Sequence, residues 1–138
     1  LLVTLLMFLQ GCASNNATVA QSLQTNEEIV QLAYVVGVND KVNYGKKIKP
    51  GLSKIYVRVL ESVPNDDRYV FESFHVLNFE AREGTNYSLQ TNKDEHQLNV
   101  WVIDEQQNKV SNISSVNLSK IEYTPAKKVV KSSESKGN

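Results

Sequence analysis

Apolar and polar positions alternate with a period of two through most of this 138-residue chain, the spacing of β-strands that bury one face. In "SKIYVRVLES", Ile55, Val57 and Val59 share one face and Tyr56, Arg58 and Leu60 the other. In "RYVFESFHVLNFEAR", Phe71, His75, Leu77, Phe79 and Ala81 take one parity and Val70, Phe74 and Val76 the opposite one. That run is longer than an ordinary strand of about five or six residues, so a bend is expected near Ser73 or Asn78. "EIVQLAYVVGV", Asn39-Asp40 and "KVNYGKKI" read as a hairpin, because Asn and Asp tolerate the positive φ of a tight turn. Turns are also expected at Pro50-Gly51, "VPNDD", "EGTN" and "NKDEH", with short strands at "YSLQT" and "QLNVWVID" and an edge strand within "KVSNISSVNLSKIEY". Helical spacing is confined to one turn between Leu23 and Leu32. The pattern predicts a mostly β domain over residues 27–123, an antiparallel β-sandwich or small barrel of about six to eight strands.

The pattern breaks at both ends. Residues 1–9 form an uncharged apolar run, shorter than the roughly 20 residues of a spanning helix. It has the character of a signal-peptide core that lacks its charged beginning, so the start reads as truncated. The run stops at Leu9-Gln10-Gly11-Cys12, which holds the chain's one cysteine. This segment resembles the lipobox of bacterial lipoproteins: an aliphatic residue, a tolerant position, a small residue and a cysteine. The resemblance implies a signal peptide over 1–11, cleavage before Cys12, a diacylglycerol thioether on its sulfur and an acyl group on the new amino terminus. Two or three acyl chains hold a protein on a membrane durably, which one does not. Ala13 and Ser14 follow the cysteine without an inner-membrane-retaining aspartate, which by the same resemblance implies the outer membrane, with the domain facing the periplasm. Residues 13–26, "ASNNATVAQSLQTN", are uncharged and poor in large apolar side chains. With Cys12 they read as a lipidated flexible tether over 12–26, with a reach of about 20 Å.

Lys plus Arg and Asp plus Glu number 15 each, so no overall field recommends nucleic acid or an anionic surface. The balance is local. From Lys127 onward four lysines stand against Glu134, giving the tail +3 and the rest of the chain −3. Residues 124–138 read as a disordered basic tail. Within the domain, Lys41, Lys46, Lys47 and Lys49 form the one basic cluster, suited to guarding a sheet edge or meeting phosphate groups.

The succession "KPGLSKIYVRVLES" and "FEAREGTNYSLQ" resembles small bacterial envelope β-sandwich lipoprotein domains of the form PG-x-x-x-I-x-V-x-V followed by F-x-A-x-x-G-x-x-Y. The likeness covers about residues 29–104. It implies a Pro50-Gly51 turn that launches a core strand and a Gly84 turn from which Tyr87 packs back onto the sheet.

Candidate chemistry is sparse. His75 sits mid-strand among apolar residues, the setting of a core histidine. His96 stands beside Asp94 and Glu95 without metal-ligand spacing. Glu72, Glu80, Asp104 and Glu105 supply carboxylates but no spacing that poises a pair, and no nucleophile, phosphate-loop or zinc motif occurs. No cofactor and no enzymatic activity are expected. "NVWVID" is apolar on both parities, which makes Trp101 and Ile103 candidates for partner contact or for burial beneath a third layer. The chain reads as a non-enzymatic outer-membrane lipoprotein whose β-domain binds another envelope component, protein or glycan. A structural tethering subunit of an envelope or secretion assembly, or a hydrolase of cell-wall glycan, are the alternatives.

Overall fold

The computed structural model describes residues 16–45, 47–64 and 69–118. Among these lie strands β1 (Ala17–Ala20), β2 (Ser22–Thr25), β3 (Val30–Val38), β4 (Lys41–Val42), β5 (Lys47–Ile48), β6 (Gly51–Ser62), β7 (Tyr69–Ala81), β8 (Asn86–Lys93), β9 (Gln97–Ile103) and β10 (Ser114–Asn117). One sheet has the order β10-β9-β8-β1-β5; the other has β2-β3-β6-β7, with β4 extending the β3 edge. The pairings are antiparallel except β1 with β8. The two sheets pack face to face as a β-sandwich.

Alternation decides the core. Ile55, Val57, Val59, Leu77 and Phe79 from one sheet meet Tyr87, Leu89, Leu98, Val100 and Val102 from the other in a single buried cluster. Phe79 and Tyr87 contact edge to face, with ring centroids 4.9 Å apart. The parity expected for β6 and β7 is the one observed. The bend expected near Ser73 or Asn78 is not: β7 is one continuous strand, in unbroken register with β6 from Phe71 to Ala81. β6 is 12 residues long, so every residue of that stretch has a ladder partner and nothing obliges it to turn.

The hairpin after β3 turns on Asn39 (φ 48°) and Asp40 (φ 66°), the paired left-handed residues of a type I′ turn. Its return strand is only two residues long. The chain then leaves for β5 in the opposite sheet and crosses back through Pro50 to β6. Gly84 is left-handed (φ 69°) in the turn before β8. From that turn Tyr87 reaches back, and its hydroxyl accepts the Arg82 N–H at 2.8 Å.

The segment read as a flexible tether over 12–26 is corrected from Ala17 onward, as is the helical turn at Leu23 to Leu32. Ala17–Ala20 is inserted between β5 and β8, and the chain switches sheets at Gln21 so that Ser22–Thr25 pairs with β3. Ala17 and Val19 are 0% and 2% exposed. The composition of this stretch is too polar to form a core alone, but a strand needs only alternate positions, and Ala17 and Val19 supply them. The domain therefore begins at least ten residues earlier than residue 27. Residues 1–15, with Cys12, and 119–138, with the basic tail, lie outside the described residues.

A chain of polar side chains crosses the core at the end opposite the Gly84 turn. Gln24 Nε2 donates to Thr91 Oγ1 (3.1 Å), Thr91 Oγ1 to Gln31 Oε1 (2.6 Å), and Gln31 Nε2 to Glu61 Oε1 (3.0 Å). Lys93 Nζ closes the chain on Glu61 Oε2 at 2.8 Å and lies 4.9 Å from the Phe71 ring centroid. The Glu61 side chain is 1% exposed, so its charge depends on these two donors.

Two predictions follow from this packing. Val19→Ala is expected to cost about 2 kcal/mol, the loss of two buried methyl groups with the gap they leave, read as a lower denaturant midpoint. A chain cut back to residue 27 is expected to lose cooperative unfolding; an unchanged transition would show that β1 and β2 are dispensable. The second contrasts two ion pairs. Lys93→Ala strands a buried carboxylate and is expected to cost about 3 kcal/mol, whereas Arg58→Ala breaks a half-exposed pair with Glu72 and is expected to cost under about 1 kcal/mol. Comparable losses in chemical denaturation would remove the distinction.

Candidate interaction surface

The outer faces of the two sheets differ in chemistry. On the β8–β9–β10 side, Ser88, Gln90, Asn92, Asn99 and Ser115 present the polar surface usual for the solvent side of an antiparallel sheet. On the other, the even-numbered residues of β6 and β7 and their neighbours on β3 bring together Tyr34, Val36, Tyr56, Phe74 and Val76. Phe74 is 61% exposed. A shallow concavity of about 430 Å³, lined by residues including Val36, Gly37, Val42, Tyr56 and Phe74, lies on this face.

Local structure places each side chain. The β3–β6 register shifts between Val35 and Gly37, and a Cβ at Gly37 would lie 3.3 Å from the Tyr56 ring. The missing side chain gives that ring its seat. Tyr56 OH donates to Asp40 Oδ1 at 2.7 Å. Arg58 sits between the aromatic residues: its Nη1 donates to Tyr34 OH (3.0 Å) and its Nε to Glu72 Oε2 (2.6 Å). The bond to Glu72 holds the Arg58 guanidinium still more firmly charged than usual, against a smaller opposing effect of burial.

β7 is also a sheet edge. Asn112 clamps part of it, its Oδ1 accepting the Asn78 N–H (2.7 Å) and its Nδ2 donating to Val76 O (3.2 Å). Those groups therefore point away from β6. By the alternation of an antiparallel ladder, the N–H and C=O of Glu72 and Phe74 point the same way. Beyond the Asn112 clamp, the apolar face and the strand edge meet at Phe74.

The residues singled out from sequence lie elsewhere. Ile103 is 7% exposed and bridges to Lys109 as the 104–110 turn folds back; Trp101, half-buried, has the Lys109 ammonium 4.8 Å from its ring centroid. The turn supplies cover over this part of β9. Glu80, Asp104 and Glu105 do line one cleft of about 460 Å³, together with Arg82 and Thr85. Asp104 Oδ1 there accepts the N–H groups of Gln106 and Asn108, and Glu105 Oε1 that of Asn86, so both carboxylates cap turns. Glu72 is paired with Arg58. Asp94 Oδ1 accepts the N–H groups of His96 and Gln97, which holds its carboxyl below the usual range. Lys41, Lys47 and Lys49 are exposed; Lys46 lies outside the described residues.

His75 is buried, 1% exposed, with Ser73 Oγ 2.8 Å from its Nε2 and Ser114 Oγ 3.0 Å from its Nδ1. Burial lowers its pKa below the ordinary value, partly opposed by the hydrogen bond with Ser114. Ser73 is buried as well, so this cluster joins β7 to β10 without opening to substrate. An unfolded histidine takes up a proton as the pH falls through about 6.5, while folded His75 resists it. Below that pH the unfolded state binds more protons, and stability must fall. Between pH 7 and 5.5 the unfolding free energy is expected to drop in the wild type and to drop less in His75→Gln; parallel curves would contradict this.

Compared with protein-family models, curated proteins and solved structures, the chain matches none.

Proposed function

We propose that this chain is an outer-membrane lipoprotein, anchored through Cys12, whose periplasmic sandwich binds an extended segment of another envelope protein without catalysing a reaction. The observation that carries the binding reading is Phe74, an exposed ring on an aromatic sheet face beside an open strand edge. A sheet face of this kind normally faces water and is polar, and contiguous apolar surface on a soluble domain marks interaction. An added strand would take its main-chain hydrogen bonds from Glu72 and Phe74 and set its side chains against Phe74 and Val76, with Tyr56 behind them on β6. Support for the anchor is Leu9-Gln10-Gly11-Cys12. The non-catalytic reading is supported by the carboxylates of the acidic cleft, two of which are engaged in capping turns.

A photo-crosslinking residue at Phe74 in intact cells is expected to give one discrete adduct, which is absent when the same residue replaces Gln90 on the opposite face and lost on Tyr56→Ser. Phe74→Ala is expected to remove the interaction with a stability change of under about 1 kcal/mol, since its ring is largely exposed. Equal adducts from both faces, or a large loss of stability, would overturn the assignment.

A further inference from the structure

The strand at Ala17 changes what an anchor at Cys12 would mean. Five residue steps separate the two, and at about 3.5 Å per residue they span at most about 18 Å. The 13 residues of β7 extend about 43 Å at 3.3 Å each. The separation is less than half the length of the sandwich, so the end that carries Ala17 is confined to the lipid surface.

The features of that end fit such a neighbour. Ala17 pairs with Ile48 and Thr18 with Lys47 on β5. Immediately afterwards, Lys49, Pro50, Gly51 and Leu52 carry the chain beneath the sandwich from one sheet to the other. Leu52 is 86% exposed, the highest value among the exposed large apolar residues of the described chain. Opposite Glu80 at the start of β6, it has no role in the core. Lys47 and Lys49 precede it on the crossover, both exposed. Of the acidic residues at this end, Asp104 and Glu105 belong to the turn after β9, away from β5, and Asp40 accepts a hydrogen bond from Tyr56. Glu80, across the ladder from Leu52, and Glu83 in the Gly84 turn are exposed, with exposed Arg82 between them in sequence. The crossover from Lys47 to Leu52 thus combines a protruding aliphatic side chain with ammonium groups and holds no carboxylate of its own, the pairing that seats a surface among anionic headgroups.

We propose that the β5–β6 crossover docks on the anionic phospholipid surface that holds the Cys12 acyl chains, with Leu52 inserted and Lys47 and Lys49 on phosphates. This rests on lipidation at Cys12. It orients the molecule: the sandwich stands on this end, with the Phe74 face turned along the membrane rather than toward it.

The test uses the full processed chain in nanodiscs of phosphatidylethanolamine and phosphatidylglycerol, with acylation scored by mass spectrometry. Acylation occupies the Cys12 sulfur, so Leu52→Cys provides a single free thiol for an environment-sensitive dye; Glu95→Cys, in the turn at the opposite end, serves as control. Expected are blue-shifted emission at position 52, quenching there by headgroup nitroxide lipids, neither effect at 95, and loss of both on Lys47→Glu with Lys49→Glu. A label at 52 as hydrated as that at 95 on an acylated chain overturns the docking and leaves the anchor standing. Insertion that survives the lysine reversals overturns the role given to anionic lipid. A free thiol at Cys12 overturns the anchor, and the docking with it.

Discussion

The relation of one sheet to the other depends on a buried carboxylate. Glu61 takes a hydrogen bond from Gln31 within its own sheet and an ion pair from Lys93 across the sandwich, while Thr91 and Gln24 continue the chain. Apolar contacts alone would tolerate several ways of sliding two sheets of Val, Ile and Leu past each other, because the hydrophobic effect is non-directional. A two-residue slip of β8 against β6 keeps every parity and every apolar contact class. It would nonetheless leave Glu61 buried without Lys93, and an uncompensated buried charge costs several kcal/mol. The polar chain therefore selects one register out of a near-degenerate set.

That register has consequences at both lateral sides. On one side β1 and β2 pass from sheet to sheet through Gln21, and β4 and β5 likewise belong to opposite sheets. On the other, β7 and β10 are joined by side chains rather than by a ladder: His75 to Ser114 and Asn112 to the β7 backbone. The first side is closed by chain crossings, which leaves little backbone to offer. The second keeps an edge whose protection stops at Val76, and β7 is longer than the elements that guard it. The stretch of the β7 edge beyond the Asn112 clamp lies beside the exposed ring of Phe74.

How much of this was legible in the sequence follows from what each signal measures. Period-two alternation reports which face is buried, and it located the cores of β6, β7 and β9 because each is long and strongly patterned. It cannot report how strongly patterned a strand must be. β1 needs only Ala17 and Val19 as inward residues, so a segment whose composition resembles a linker became a core strand through its neighbours. The bend expected in β7 failed for a related reason: strand length is limited by the partner, and β6 is long enough to pair almost all of it. Glu61 and Lys93 lie 32 residues apart, and nothing local to either announces the other.

The surface shows the same limit more sharply. "NVWVID" and "YVFESFHVLNFEA" both carry apolar residues on both parities, and from sequence the two are equivalent evidence for an exposed contact face. What separates them is the local chain that follows each. After β9, Asp104 draws the turn back through the N–H groups of Gln106 and Asn108, and Gln107 takes a left-handed φ of 68°. Lys109 is thereby carried over Trp101 and beside Ile103. After β7, the Gly84 turn instead sends the chain across to the other sheet at β8, so among the described residues no segment returns over Phe74 or Val76. An apolar outer parity stays exposed where the succeeding turn leads the chain away, and among the described residues that condition is met by β7 and not by β9.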